Sequence, residues 1–194
     1  MKWSTAVQKV EQVGAACQAM ARTPPGIVPL RVASAWLFGG VLDGPRDDLD
    51  VVAVALAVAE DVAWGTAPHG AGQWLNASKL LTAPVALTWR PAHAVANHAV
   101  LRPVRCWDAA DGVDEAVLDA LRDGSVAALR PPAPSPAERA ARLADDLATS
   151  LAALRRTSAD VTRHRFTPGS PQRRADALAD AAAGYLELLG EQAR

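Results

Sequence analysis

The stretch best equipped for chemistry is Phe38-Gly39-Gly40, then seven residues, then Asp48-Leu49-Asp50-Val51. Side chains two apart on an extended strand face the same way, so Asp48 and Asp50 are expected to converge on one point at a sheet edge. Paired carboxylates suit a hard divalent cation such as Mg²⁺, which takes oxygen ligands and keeps several of its waters. Gly39 and Gly40 lack a Cβ, which lets backbone N–H groups approach a phosphate closely. Together the four residues describe metal-assisted attack on a nucleoside triphosphate, with the metal clamping the attacking and leaving oxygens. The plainer reading is a solvated turn, because Asp43, Asp47, Asp48 and Asp50 lie in an Asp-, Gly- and Pro-rich stretch that turns favour.

The remaining reactive residue types are scattered. Of His69, His93, His98 and His164, only His93 and His98 are close, and five residues apart is not one helix face; all four read as surface or packing residues. Ser34 and Ser78 sit in no nucleophile elbow, since no G-x-S-x-G occurs. Cys17 and Cys106 have no cysteine or histidine partner at metal spacing and read as buried free thiols of a reducing, cytoplasmic setting. Trp64 and Trp74 are the tryptophans placed to line a pocket; Trp3, Trp36, Trp89 and Trp107 read as core or interface anchors. Arg155, Arg156, Arg163, His164, Arg165, Arg173 and Arg174 gather basic charge that is expected to form a solvated, salt-bridged tip between two helices.

Elements of regular structure must position the glycines and the acids. Trp3, Val7, Val10, Val13, Cys17 and Met20 recur at helical spacing, so residues 3–22 read as a helix that Pro24 and Pro25 stop. Residues 31–38 read as a strand ending at Gly39-Gly40, and 49–58 as a second, valine-rich one. A short helix over 73–81 and a third strand over 85–89 follow. Pro91 then suits the first turn of a helix over 92–101, ahead of a fourth strand at 103–107. Residues 114–122 read as a helix closing at Asp123-Gly124, and Pro131-Pro132-Ala133-Pro134 as a stiff linker. Beyond it Ser135, Pro136 and Glu138 form a capping box, opening a helix to about Arg156 or further. Thr167-Pro168-Gly169-Ser170-Pro171 breaks the chain before a last helix over 172–192.

This pattern resembles the nucleotidyltransferase superfamily, whose signature is an apolar residue, Gly-Gly or Gly-Ser, a loop, and Asp-apolar-Asp/Glu-apolar. The likeness, nearest to the minimal and antibiotic nucleotidyltransferases, reaches from Ala33 to Asp108. It implies an α/β (α+β) fold with a mixed sheet of about four strands over residues 1–130, and a C-terminal helical hairpin over 131–194. It implies nucleotide binding at Gly39 and Gly40, and Mg²⁺ at Asp48 and Asp50. The sequence also departs from the family: the loop is short, Gly40 replaces a phosphate-holding serine, and Ala86 stands where the family's third carboxylate belongs. The expectation is therefore a nucleotidyltransferase-fold protein with a degraded catalytic site, a pseudoenzyme serving as a binding or regulatory module. One alternative is an active Mg²⁺-dependent enzyme transferring a nucleoside monophosphate, with Asp108 or Glu60 substituting for the missing acid. The other is an interaction protein whose Ala/Leu-rich terminal helices bind a protein partner or a second copy.

Composition narrows the setting. Among 194 residues the net charge is −1, which provides no global attraction to nucleic acid or to an anionic membrane. The longest apolar run, residues 51–59, is about half of what a bilayer span needs.

Overall fold

The computed structural model describes residues 1–80, 84–164 and 171–193. Its first helix, α1 (Trp3–Arg22), buries Val7, Val10, Val13 and Cys17 on the stripe that their spacing defines. Two strands follow, β1 (Val32–Phe38) and β2 (Val52–Val58), joined through a 3-10 turn over Gly39–Leu42. They pair antiparallel, with Phe38 opposite Ala53. Helix α2 (Ala71–Ser78) leads to β3 (Val85–Pro91), which runs parallel to β2 with Ala53 beside Ala86 and Val58 beside Pro91. On the other side of β1 come β4 (Val104–Asp108) and the two-residue β5 (Gly112–Val113). The result is one mixed sheet of five strands in the order β3-β2-β1-β4-β5, not four, because β5 is too short to show a hydrophobic alternation.

The sheet is covered on both faces. Val52, Val54, Leu56 and Val58 enter the main core beside residues of α1, α2 and α3 (Glu115–Arg122). Ala55 and Ala57 point the other way, into a smaller cluster with Val95, Val100, Trp36, Phe38 and Trp64. Both faces of β2 are thus apolar, as expected of a central strand covered on two sides.

Residues 92–101 form no helix, contrary to the reading of Pro91 as a helix start. Pro91 is the last residue of β3, an edge strand, where a missing N–H costs no ladder hydrogen bond. Beyond it the backbone makes only isolated bonds to itself, such as Ala94 N to the Pro91 carbonyl and Asn97 N to the Val100 carbonyl, and side chains supply the rest. Ala99 N and Val100 N donate to Asn97 Oδ1, and the carbonyls of Ala94 and Val95 accept from the Arg90 guanidinium.

After a second 3-10 turn and the proline linker, α4 (Pro136–Arg163) begins with the expected capping box: Ser135 Oγ accepts from Glu138 N, and Glu138 Oε2 accepts from Ser135 N. It pairs with α5 (Pro171–Gln192); most of the break anticipated between them lies outside the described residues. The hairpin also docks on the sheet domain. Trp64 N donates to Ser150 Oγ at 3.1 Å, and Ala181 and Leu188 are buried. A Cβ on Gly184 would stand 1.9 Å from the Trp64 carbonyl oxygen, so only glycine permits that approach.

Candidate functional site at the Gly39–Asp50 end of the sheet

Gly39 and Gly40 close β1 as expected, and Gly39 takes φ +70°, a left-handed conformation that glycine enters freely. Val41 and Leu42 are buried and pin the turn to the core. β2 starts only at Val52, so Asp48 and Asp50 lie in the loop that leads to the strand, not on it. Between them Leu49 is buried and both acids are exposed. Ala53 and the exposed Ala86 are neighbours in register on β2 and β3 at this end of the sheet. The same end of the sheet therefore carries Gly39, Gly40, Asp48, Asp50 and Ala86.

Arginine holds Asp48. Arg46 Nε donates to Asp48 Oδ1 at 2.6 Å and Nη2 to Asp48 Oδ2 at 3.1 Å, a bidentate pair. These bonds push the Asp48 pKa below the ordinary carboxylate range and the Arg46 pKa above its usual value, with Asp43 and Asp50 adding smaller attractions on Arg46. A Cβ on Gly40 would lie 3.6 Å from Arg46 Nη1 and 3.3 Å from Leu49 Cδ2, so the guanidinium rests over the glycine turn. Asp43 accepts from Arg130, and Asp47 Oδ1 accepts from Trp3 N at the start of α1. Among the described residues no group of three or more His, Cys, Asp or Glu side chains could hold a metal.

The positions named as replacement acids lie elsewhere. Glu60 follows the far end of β2, and Asp108 pairs with Ser34 at the start of β1. Each is roughly 20 Å of strand away from the glycines, at about 3.3 Å per residue. No residue of β3 is acidic, so nothing on that strand supplies a third carboxylate. Arg46 was missed, although the rule that pairs Asp48 with Asp50 also pairs Arg46 with Asp48.

At the opposite end the polar groups are sealed. Arg90 is 1% exposed; its Nη2 donates to Asp146 Oδ1 at 2.7 Å, and Asn97 Nδ2 donates to Asp146 Oδ2 at 2.8 Å. His98 lies 3.9 Å from the same carboxylate and stacks edge-on against Trp64, ring centres 4.7 Å apart. Beside this junction, cavities of about 300 and 260 Å³ lie between the 60–69 loop and the hairpin. Trp64 lines the second of them, whereas Trp74 is buried in the core against Trp89. Cys17 and Cys106 are free and buried; burial pushes the Cys106 thiol up to about 12 and the Cys17 thiol upward as well. At the hairpin tip His164 and Arg174 both pair with Asp160. No helix among the described residues is long and apolar enough to cross a membrane.

The fold is thus a mixed α/β sheet with a glycine turn and an arginine-clamped carboxylate at one end and a docked helical hairpin at the other. The chain belongs to the family described as a domain of unknown function, DUF7711, whose model matches residues 1–194. No curated protein and no solved structure matches it.

Proposed function

We propose that this protein is a nucleotidyltransferase-like module that has lost group transfer and acts by binding. The observation that carries the reading is Arg46. Its guanidinium pairs with Asp48 and lies over Gly40, the place where a catalytic metal and a triphosphate would have to meet. A guanidinium offers charge and hydrogen bonds but no Lewis acidity, so it cannot lower the pKa of a bound water or clamp a leaving oxygen as Mg²⁺ does. The residues present fit a working metal poorly: two exposed carboxylates, one already bidentate with arginine, and no acid on β3 to serve as ligand or base. Loss of a general base alone typically costs about 10²–10⁴-fold in rate.

The test is a thermal shift with Mg²⁺ and ATP on the wild type and on Arg46→Ala. The wild-type midpoint should not respond to Mg²⁺ with ATP. Arg46→Ala frees the carboxylates and should gain a Mg²⁺ response. A Mg²⁺-dependent nucleotide stabilisation of several degrees in the wild type would mean an intact metal site and overturn the reading.

A further inference from the structure

The two edges of the sheet are finished differently. On one side β5 is only two residues long, and so short an edge strand offers little to pair with. On the other, β3 is a seven-residue edge with no strand beyond it among the described residues. Val52 N donates to the Pro84 carbonyl at the start of the β2–β3 ladder, and Ala92 N donates to the Val58 carbonyl at its end. Backbone groups along a strand point alternately to one side and the other, so residues 84, 86, 88, 90 and 92 face β2. The N–H and C=O groups of Val85, Leu87 and Trp89 therefore point out of the sheet. None of them bonds to a described residue on that side.

The cavity of about 260 Å³ opens onto this edge. Trp89 packs its ring against Trp74 on the α2 side, while Thr88 stands beside Ala55 on the hairpin side, and both line the cavity. A cavity that touches residues of both faces meets the strand at its margin, where the free backbone groups are.

Charge says what fits there. Asp180 and Glu187 of α5 line the same cavity, with no basic side chain among the described residues around it. They lie four and three residues from Gly184, where α5 meets Trp64, and so share its face of the helix. Both are exposed, and neither forms an ion pair with a described residue. At about 1.5 Å per residue they stand about 10 Å apart along α5. An extended chain laid on β3 turns every second side chain to the hairpin face, about 6.6 Å apart, and the others to the α2 face. Long basic side chains in the first set reach the two carboxylates. Apolar ones suit the second, where Val85 and Leu87 are half-buried against the core. A second copy of this chain brings the wrong charge. The basic residue of its β3, Arg90, is 1% exposed, and its α5 would add two more carboxylates.

We propose that β3 is the docking edge for an extended segment of another protein with alternating basic and apolar residues, added to the sheet as a further strand. Main-chain bonds to Val85, Leu87 and Trp89 supply the affinity, and Asp180 and Glu187 select the basic side chains. The edge serves in this way whether or not the Gly39 end binds a nucleotide.

The experiment is calorimetric titration of the full chain, at low salt, with the end-blocked peptide Lys-Val-Lys-Val-Lys. It should bind with a Kd below about 1 mM, and the counterpart Glu-Val-Glu-Val-Glu should not bind. Two further peptides carry N-methyl groups on alternate residues. One should lose binding at least tenfold and the other keep it, because only one set of amides faces β3. Asp180→Asn with Glu187→Gln should weaken binding about fivefold, as exposed charge pairs do, and leave the unfolding midpoint unchanged. A basic peptide that does not bind at 1 mM would overturn the proposal. So would equal binding of the acidic peptide, equal behaviour of the two methylated ones, or indifference to the double substitution. Self-association of the chain that the peptide reverses would give the edge to a second copy and overturn it as well.

Discussion

The two ends of the central sheet treat charge in opposite ways. Where β1 runs into Gly39, the carboxylates of residues 43–50 stand in water, and arginines meet Asp43 and Asp48 from the side. Where β2 and β3 finish, one arginine is almost wholly buried and held by Asp146, two loop carbonyls and the ring of Trp64. Exposed ion pairs contribute little stability because solvent screens them. A buried pair contributes specificity at most, but removing one partner strands the other without compensation. The first end is therefore free to change its chemistry without harm to the fold. The second is bound to the architecture, because Asp146 belongs to α4, and Arg90 and Asn97 belong to the sheet domain.

The largest effect is expected from Asp146→Ala. It leaves the Arg90 guanidinium buried without its counter-charge and should cost about 3–5 kcal/mol, measured by chemical denaturation. A cost below about 1 kcal/mol would mean that water reaches the junction and that the contrast between the two ends is weaker than described. Gly184→Ala comes next. Its Cβ would collide with the backbone of Trp64, which no side-chain rotation relieves, so α5 must lift from the loop at a cost of about 1–3 kcal/mol. Unchanged stability would show that the hairpin sits farther from Trp64.

Dependence on pH should divide along the same line. The Cys106 and Cys17 thiols are raised by burial. Below their unfolded value of about 8.5 both states are protonated and the full stability is present. As pH rises beyond that, the unfolded chain ionises first, and stability falls at least until the folded Cys106 thiol follows near about 12. The opposite sign applies to Asp48, which Arg46 holds below the usual range; its contribution is present at neutral pH and is lost on acidification. Because Asp48 is exposed, the acid-side change should be small beside the alkaline one, and replacing both cysteines by Ser should flatten only the alkaline limb.

The smallest effects belong to the carboxylate end. Asp48→Asn should leave the unfolding midpoint unchanged within error. Ala86→Asp adds a third carboxylate on an exposed position and should give a greater Mg²⁺-dependent stabilisation than the wild type shows. An equal response would place Ala86 away from the acids.

The sequence made the sheet end easier to read than the junction. Gly39-Gly40 and the valines of β2 depend on local conformation, which composition and alternation express directly. The limits of α1 and the capping box of α4 were legible for the same reason. Residues 92–101 were misread because Pro91 suits both a helix start and the end of an edge strand. What decided between them was Asp146, 49 residues beyond Asn97 in the chain. Glu60 and Asp108 were credible substitutes only while strand direction was unknown; the antiparallel pairing of β1 with both neighbours sends them to the far end. The need for glycine at 184 is visible only with the Trp64 backbone beside it.

The central claim is that the glycine turn and its two acids no longer transfer a nucleotidyl group. It is tested most directly by release of pyrophosphate from each of the four ribonucleoside triphosphates with excess Mg²⁺, at high protein concentration and over hours. The account predicts release no faster from the wild type than from Asp48→Ala/Asp50→Ala. Wild-type release well above that double variant, abolished by chelation, would contradict it and restore this end of the sheet as an active site.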